Sequence, residues 1–383
     1  MFYDNQDEEQ KQLYIKMLQV TCSLSNLFSD SVNPFLYYRA MENIFCKAFN
    51  AKNYARSDIS IDSGKNNVGI GLKTFLHNNG KTLQKIAEFN KESIVLTGLK
   101  PEEIALKVSE MRNERILIAQ RICKIDEVMY HLLTRKSGIV GIYEEPMDFI
   151  DINNIGNVKA KDKIISFEDG IHEYSFNGSK STLFKRFYTL NNSLIEEFDV
   201  EILENPIDFL LGLQGNKEKI GDLQEKSEIK DYIILPLYSP STGEAQMKSG
   251  LNQWNANGRA RDPNEVYINI PAWIHRCKKG FFNYVTSDFK TDSFDVKLPS
   301  GDILNMKVAQ QGGKALMSNP NKALGYWILR EILKIKEGEI LTKTKLDIIG
   351  IDSVMLSKNI NGEYSLDFLK SGSYEEFESE YKR

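Results

Sequence analysis

The chain reads as an α/β unit followed by a mainly β unit with the pattern of a small barrel. Three observations predict this. Up to about residue 200, apolar residues recur at helical spacing in some segments and alternate with polar ones in others. Between 203 and 230, "LENPIDFLLGLQGNKEKIGDLQEKSEIK" becomes charged and glycine-punctuated, the composition of a boundary with a short helix inside it. From Asp231 onward, strand and turn signals prevail. The expected organisation is one domain over 1–202, a linker over 203–230 and a second domain over 231–383. With 383 residues, of which 41% are hydrophobic, the chain has apolar material for two buried cores.

Helices are expected over 8–29 and 34–50, the second beginning after Asn33-Pro34. Next comes "SDISIDSGKNNVGIGLKTF", 57–75. Ile59, Ile61, Val68, Ile70 and Leu72 alternate with polar or small residues and "SGKN" supplies a turn, so the stretch reads as a β-hairpin. A turn over 63–66 sets Asp62 opposite Asn67 and Asp58 opposite Gly71, with Lys73 two residues further on the same face. Asp58 and Lys73 then share one end of the hairpin. Asp62 falls roughly 13 Å from the lysine, at about 3.3 Å per residue.

"KTLQKIAEFNKE", 81–92, reads as a short helix, and a long helix begins near Pro101 with acids in its first turn. After Gly138, "GIVGIYEEP", "KIISFEDGIHEYSFNG" and "FKRFYTL" read as strands extending the sheet that the hairpin begins. In the second domain "DYIILPLYSP", "EVYINIPAWI", "SFDVKLPSGDILNMKVAQ" and "DSVMLSKNINGEYSLDF" are strand candidates, and "KALGYWILREIL" is a helix.

Composition excludes several classes. Cys22, Cys46, Cys123 and Cys277 are scattered with no CxxC pair, which speaks against a disulfide framework and a zinc site. The first 30 residues start acidic and hold no uninterrupted apolar stretch, so neither a signal peptide nor a membrane span is expected, and the expected compartment is the cytoplasm. A net charge of -4 gives no global attraction to nucleic acid, so a DNA-binding surface must be a local patch. One such patch is "KSGLNQWNANGRARDPNEVYINIPAWIHRCKKGFF", 248–282, with six lysines and arginines against two acids. Lys248, Arg259 and Arg261 suit phosphates there, and Gln253, Asn255 and Asn257 suit base edges. A solvated polar loop has the same composition.

Hydrolysis of a phosphodiester needs carboxylates to hold a divalent cation and a positive group near the attacking water. Asp58 and Lys73 supply one of each. Asp58, Gly71-Leu72-Lys73 and the segment after them resemble the PD-(D/E)XK restriction-endonuclease core. The resemblance implies that Asp58 binds Mg²⁺ and that Lys73 lies beside the attacking water. The second acid, normally two residues before the lysine, is Gly71 here, and Glu88 on the following helix is the expected replacement metal ligand. Glu42, on the helix before the hairpin, matches an auxiliary glutamate of some members. The same residues also read as a surface ion pair and two solvated acids.

"GRARDPNEVYINIPAWIH", "FDVKLPSGDILNMKVAQQGGKALMSNPNKALGYWILREIL" and "IIGIDSV" resemble the C-terminal DNA-binding domain of the NgoFVII and BfiI group of restriction endonucleases. That domain is similar to the plant B-three fold, a seven-stranded pseudobarrel with two arms in the major groove. The resemblance covers about 230–368. It implies a first arm over 252–264, holding Asn252, Gln253, Trp254, Asn255, Asn257, Arg259 and Arg261, and a second around 310–321, where Lys314, Ser318 and Asn319 are candidate contacts. Ser318 and Asn319 equally suit capping of the helix that follows. Domains of this kind also accompany metal-independent nucleases with an HxK motif, but none of the four histidines is followed by x-Lys.

Together these readings imply a type II restriction endonuclease, Mg²⁺-dependent, acting on double-stranded DNA as a homodimer at least on DNA, beside a cognate DNA methyltransferase. A non-catalytic DNA-binding regulator is one alternative. A nuclease subunit working with a separate ATPase or helicase is another, since the chain has no P-loop.

Overall fold

The structure, a computed structural model, describes residues 1–54, 59–89, 95–213, 229–282 and 291–381. It divides into two compact units, Met1–Ala55 with Ser60–Ile116 and Ile125–Glu225, and Arg56–Ile59 with Leu117–Lys124 and Lys226–Arg383.

In the N-terminal unit the elements run α1 (Glu8–Ser23), α2 (Tyr38–Phe49), β1 (Lys52–Asn53), β2 (Ser63–Lys65), β3 (Val68–Leu76), β4 (Lys81–Glu88) and α3 (Pro101–Cys123), whose residues from Leu117 on are counted with the other unit. They continue with β5 (Glu127–Lys136), β6 (Ile139–Pro146), β7 (Gly156–Lys161), β8 (Ile164–Glu168), β9 (Glu173–Asn177), β10 (Thr182–Tyr188), β11 (Glu196–Asp199) and α4 (Pro206–Leu213). Two sheets form. One has six strands in the order β1-β2-β3-β5-β6-β11, and the other five in the order β4-β10-β9-β8-β7. Within the first, β1, β2 and β3 are antiparallel, whereas β5 lies parallel to β3, with Leu72 opposite His131 and Lys73 opposite Leu132. A parallel neighbour requires a crossover, which α3 provides.

Strand alternation separates two apolar layers. Ile70, Leu72, Leu133, Val140 and Ile142 pack with Tyr14 and Leu18 of α1 and Met41, Phe45 and Phe49 of α2. On the other side Tyr130 meets Phe187 of β10 edge-on at 5.0 Å, and its hydroxyl accepts a hydrogen bond from Arg112 Nη2 of α3 at 2.7 Å. The helical layer also holds a buried polar network. His131 lies between the Tyr14 hydroxyl at 3.0 Å and a Glu144 oxygen at 2.9 Å, and Glu144 accepts the Tyr3 backbone N–H. This ties the first residues of the chain to the middle of the sheet.

Three sequence expectations are corrected here. Residues 81–88 form strand β4, not a helix, because the segment pairs along its whole length with β10. Segments β8 to β10 do not extend the hairpin's sheet but build a second one with β4. The hairpin turn lies at Asn66-Asn67, with φ of 50° and 67°, three residues beyond the expected start.

The C-terminal unit contains β12 (Ile229–Pro236), β13 (Ile268–Asn269), α5 (Ala272–Cys277), β14 (Phe294–Lys297), β15 (Ile303–Ala309) and β16 (Ala315–Ser318). After these come α6 (Ala323–Gly325), which continues as a π-helical turn over Tyr326–Ile332, then α7 (Lys343–Ile349), β17 (Ile351–Asn359), β18 (Tyr364–Lys370) and α8 (Ser373–Tyr381). Its seven strands run β12-β17-β18-β14-β15-β16-β13, antiparallel except for β14 beside β18. Edge strands β12 and β13 approach each other, so the sheet nearly closes into a barrel. Among the described residues no helix is long and apolar enough to cross a membrane.

Candidate functional site

Moving the turn moves the chemistry. Ser63 pairs with Ile70, so the residue before it, Asp62, lies beside the segment leading to Lys73 rather than at the hairpin tip. The Asp62 N–H donates to the Ile70 carbonyl at 2.9 Å, and the Asp62 carbonyl accepts the Tyr54 N–H at 2.9 Å. Its side-chain Oδ2 accepts the Leu72 N–H at 2.7 Å. The carboxylate is thus held next to the residue preceding Lys73, against the sequence expectation that distance separates them. Asp58, the acid chosen from the sequence, lies outside the described residues.

Glu42 joins this neighbourhood from α2. It is only 6% exposed, and Arg39 Nη1 donates to its Oε2 at 2.8 Å. Burial raises its carboxyl above the usual range, and the negative charge of Asp62 raises it further; Arg39 and Lys73 act in the opposite direction. Cys46, one helical turn on, has its thiol pushed up to about 12 by burial and then by the charges of Glu42 and Asp62. Two α2 side chains therefore sense Asp62, and one senses Lys73. Glu42, Asp62 and Lys73 form a single electrostatic cluster.

Gly71 explains the missing strand acid. A Cβ at this position would come within 2.6 Å of Met147 Cε and 3.0 Å of the Tyr130 ring, so an acid here would require the methionine end to move and the ring to give way. Glu88 does not replace it from a helix. It ends β4 in the other sheet, where its Oε2 lies 2.8 Å from Lys85 Nζ and its carbonyl accepts Arg115 Nη1 at 2.6 Å. Among the described residues no group of three or more His, Cys, Asp or Glu side chains is arranged to hold a metal ion.

In the C-terminal unit β13, which follows the first expected arm, lies beside the second. The Ile270 N–H donates to the Lys314 carbonyl at 2.8 Å, and Ile268 pairs with Leu316. His275 Nε2 lies 2.8 Å from the Gly313 carbonyl and holds the tip of the second arm. Arg330 fixes the base of the first, donating to Asn264 Oδ1 at 2.7 Å and the Pro263 carbonyl at 2.8 Å. Gly325 makes this approach possible, since a Cβ there would lie 2.1 Å from the Asn264 carbonyl oxygen.

The candidate contact residues divide by burial. Asn252 is 1% exposed, and its amide donates to the Gln246 and Leu341 carbonyls and accepts the Leu341 N–H. Ser318 is fully buried, donates to the Pro320 carbonyl and accepts the Leu324 N–H of α6 from four residues ahead of that helix's N-cap position, Lys322. Gln253 is buried against Glu265 at 3.4 Å, and the half-buried Trp254 keeps its indole N–H inside the fold. Arg261 ties down its own loop through the Ala256 carbonyl at 2.7 Å, and Asn255 bonds the Met247 carbonyl at 3.2 Å. Lys248, Asn257, Arg259, Lys314 and Asn319 are exposed, Arg259 with Glu265 as its ion partner and Asn319 bonded to Ser293.

Residues 224–359 match the family model of the NgoFVII C-terminal B3-like DNA-binding domain, a restriction-enzyme domain, over a little more than a third of the chain. No curated protein matches the chain. The match and the nearly closed seven-stranded sheet agree. The C-terminal unit is similar to a DNA-binding domain of the restriction-enzyme type, and this similarity supports DNA as a partner.

Proposed function

We propose that the chain is a type II restriction endonuclease in which the N-terminal unit cuts DNA recognised by the C-terminal unit. The observation that carries this reading is the restriction-enzyme DNA-binding domain over 224–359, joined in one chain to the Glu42, Asp62 and Lys73 cluster. Glu42 is a buried carboxylate held above its usual range first by that burial and then by the charge of Asp62, a penalty that a divalent cation would offset. The donor set suits Mg²⁺, which binds through one or two carboxylates together with water and phosphate. When bound, Mg²⁺ neutralises charge on the scissile phosphate and acidifies a coordinated water. Glu42 and Asp62 would hold it, with Asp58 as a further candidate ligand. Lys73 orients the attacking water and offsets negative charge as the phosphorus becomes five-coordinate. The order of groups resembles the PD-(D/E)XK arrangement with Asp62 in the strand position, the helix glutamate retained and the acid before the lysine replaced by Gly71.

The test is cleavage of phage DNA with Mg²⁺ or with EDTA. Wild type should give discrete bands with Mg²⁺ only. Lys73→Ala, Asp62→Asn and Glu42→Gln should each lower cleavage by about 10²-fold or more while leaving DNA binding intact. Full activity in Asp62→Asn with loss in Asp58→Asn would return the site to the hairpin acid chosen from the sequence. Specific binding without cutting by wild type would favour a regulator, and cutting that needs ATP and a second protein would favour a partner-dependent subunit.

A further inference from the structure

Helix α4, "PIDFLLGL", is apolar on nearly every side, the pattern of a helix covered by other structure. Yet Ile207 is 61% exposed, Phe209 50% and Leu211 56%, and Leu210 is also exposed. The helix runs beside the turn Ser25–Leu27. The Asn26 amide donates to the Leu203 carbonyl and the Leu203 N–H to the Ser23 carbonyl, so the C-terminal end of α1 lies alongside. Exposed Phe28 and Val20 come from that neighbouring segment. Four large apolar side chains of α4 are thus exposed beside the segment that carries exposed Val20 and Phe28, a concentration that marks an interaction site.

The surroundings select the partner. Asp30, Asp199, Glu201, Glu204 and Asp208 are all exposed around this corner. Among the described residues the cations alongside include Lys16, one turn before Val20, Lys136, which pairs with Glu197 at 2.7 Å, and Arg135, which is held by the Pro34 carbonyl at 2.8 Å. A second copy related by a two-fold axis would bring like against like, acids against acids. A membrane surface, itself anionic, is repelled for the same reason. The following segment, 214–228, offers only Ile220 and Leu223 as large apolar residues and has more acids than lysines. An apolar surface with a basic border is complementary on both counts.

We propose that this corner docks a basic amphipathic helix of a different protein, its apolar face on α4 and Phe28 and its lysines or arginines over the acidic rim. The docking is independent of the cleavage reading. The test titrates the full chain into a labelled helical peptide of leucine and lysine, with a leucine and glutamate peptide of the same apolar pattern as control, and follows anisotropy. The lysine peptide should bind and the glutamate peptide should not. Phe209→Ser with Leu211→Ser should weaken binding about tenfold or more. Glu204→Lys with Asp208→Lys should reverse the preference between the two peptides, a change that loss of folding cannot produce. Failure of the lysine peptide to bind, or binding indifferent to both double variants, overturns the proposal. A wild-type dimer in sedimentation that becomes monomeric in Phe209→Ser with Leu211→Ser overturns it as well, because the occupant is then a second copy.

Discussion

Glu42 is a buried acid for which burial, and then the charge of Asp62, make ionisation unfavourable. Its folded carboxyl sits above its unfolded value, so the native state binds the extra proton in the window between the two. The stability this contributes is present below the unfolded value and is lost as pH rises through the folded one. Glu42→Gln has no charge to bury. Its melting temperature should exceed that of wild type at pH near 8, and the difference should close in acid where wild-type Glu42 is protonated. A divalent cation should offset the same penalty. Saturating Mg²⁺ should raise wild-type stability by up to about 2.7 kcal/mol at a hundred times its dissociation constant and raise that of Glu42→Gln by less. Equal responses of the two proteins to Mg²⁺ would remove Glu42 from the metal site.

At the scale of elements, the hairpin shows what was legible and what was not. Its strands are readable from alternation, but "SGKNN" contains two turn signals, a glycine and an asparagine pair. Asn66 and Asn67 take the left-handed conformations, while Gly64 lies within β2 because a Cβ there would meet the Tyr54 ring at 2.7 Å. The glycine answers to packing, which no local pattern records, and misreading it displaced Asp62 from the strand segment that leads to Lys73. β4 misled in the same way. Its Leu, Gln, Lys, Ala and Glu favour a helix, yet a partner strand almost a hundred residues away decides the outcome. Most barrel strands were legible because alternation there meets few competing signals, but of the expected strand "EVYINIPAWI" only Ile268–Asn269 is strand, and its end enters helix α5.

The arms give a prediction at this scale. Asn252→Ala strands buried backbone groups of Leu341 and Gln246 and should cost about 1–3 kcal/mol of stability, with the DNA affinity of the folded fraction unchanged. Lys314→Ala should leave stability alone, weaken binding to specific and random duplex alike, and reduce the slope of log affinity against log salt by about 1. Thermal melts paired with salt-dependent binding isotherms separate the two. A stable Asn252→Ala protein with altered base preference would instead make Asn252 a reader.

At the scale of the molecule, the chain carries net charge -4, so no global field draws it to DNA, and under the proposed function recognition falls to a few exposed cations of the C-terminal unit. One cluster of Glu42, Asp62 and Lys73 per chain has a further consequence under the proposed function. A duplex offers two scissile strands of opposite polarity, and one cluster serves one of them at a time. Two chains related by a two-fold axis present two clusters with matching opposite polarity. A homodimer on DNA therefore predicts that a supercoiled plasmid with one recognition site passes directly to linear product. With EDTA, sedimentation should find two chains on one site-bearing duplex. Build-up of open-circle DNA that is linearised only later, with one chain per duplex, would mean that a monomer cuts the strands in turn. Because that result leaves the roles of Lys73 and Asp62 intact, the time course tests the assembly separately from the chemistry.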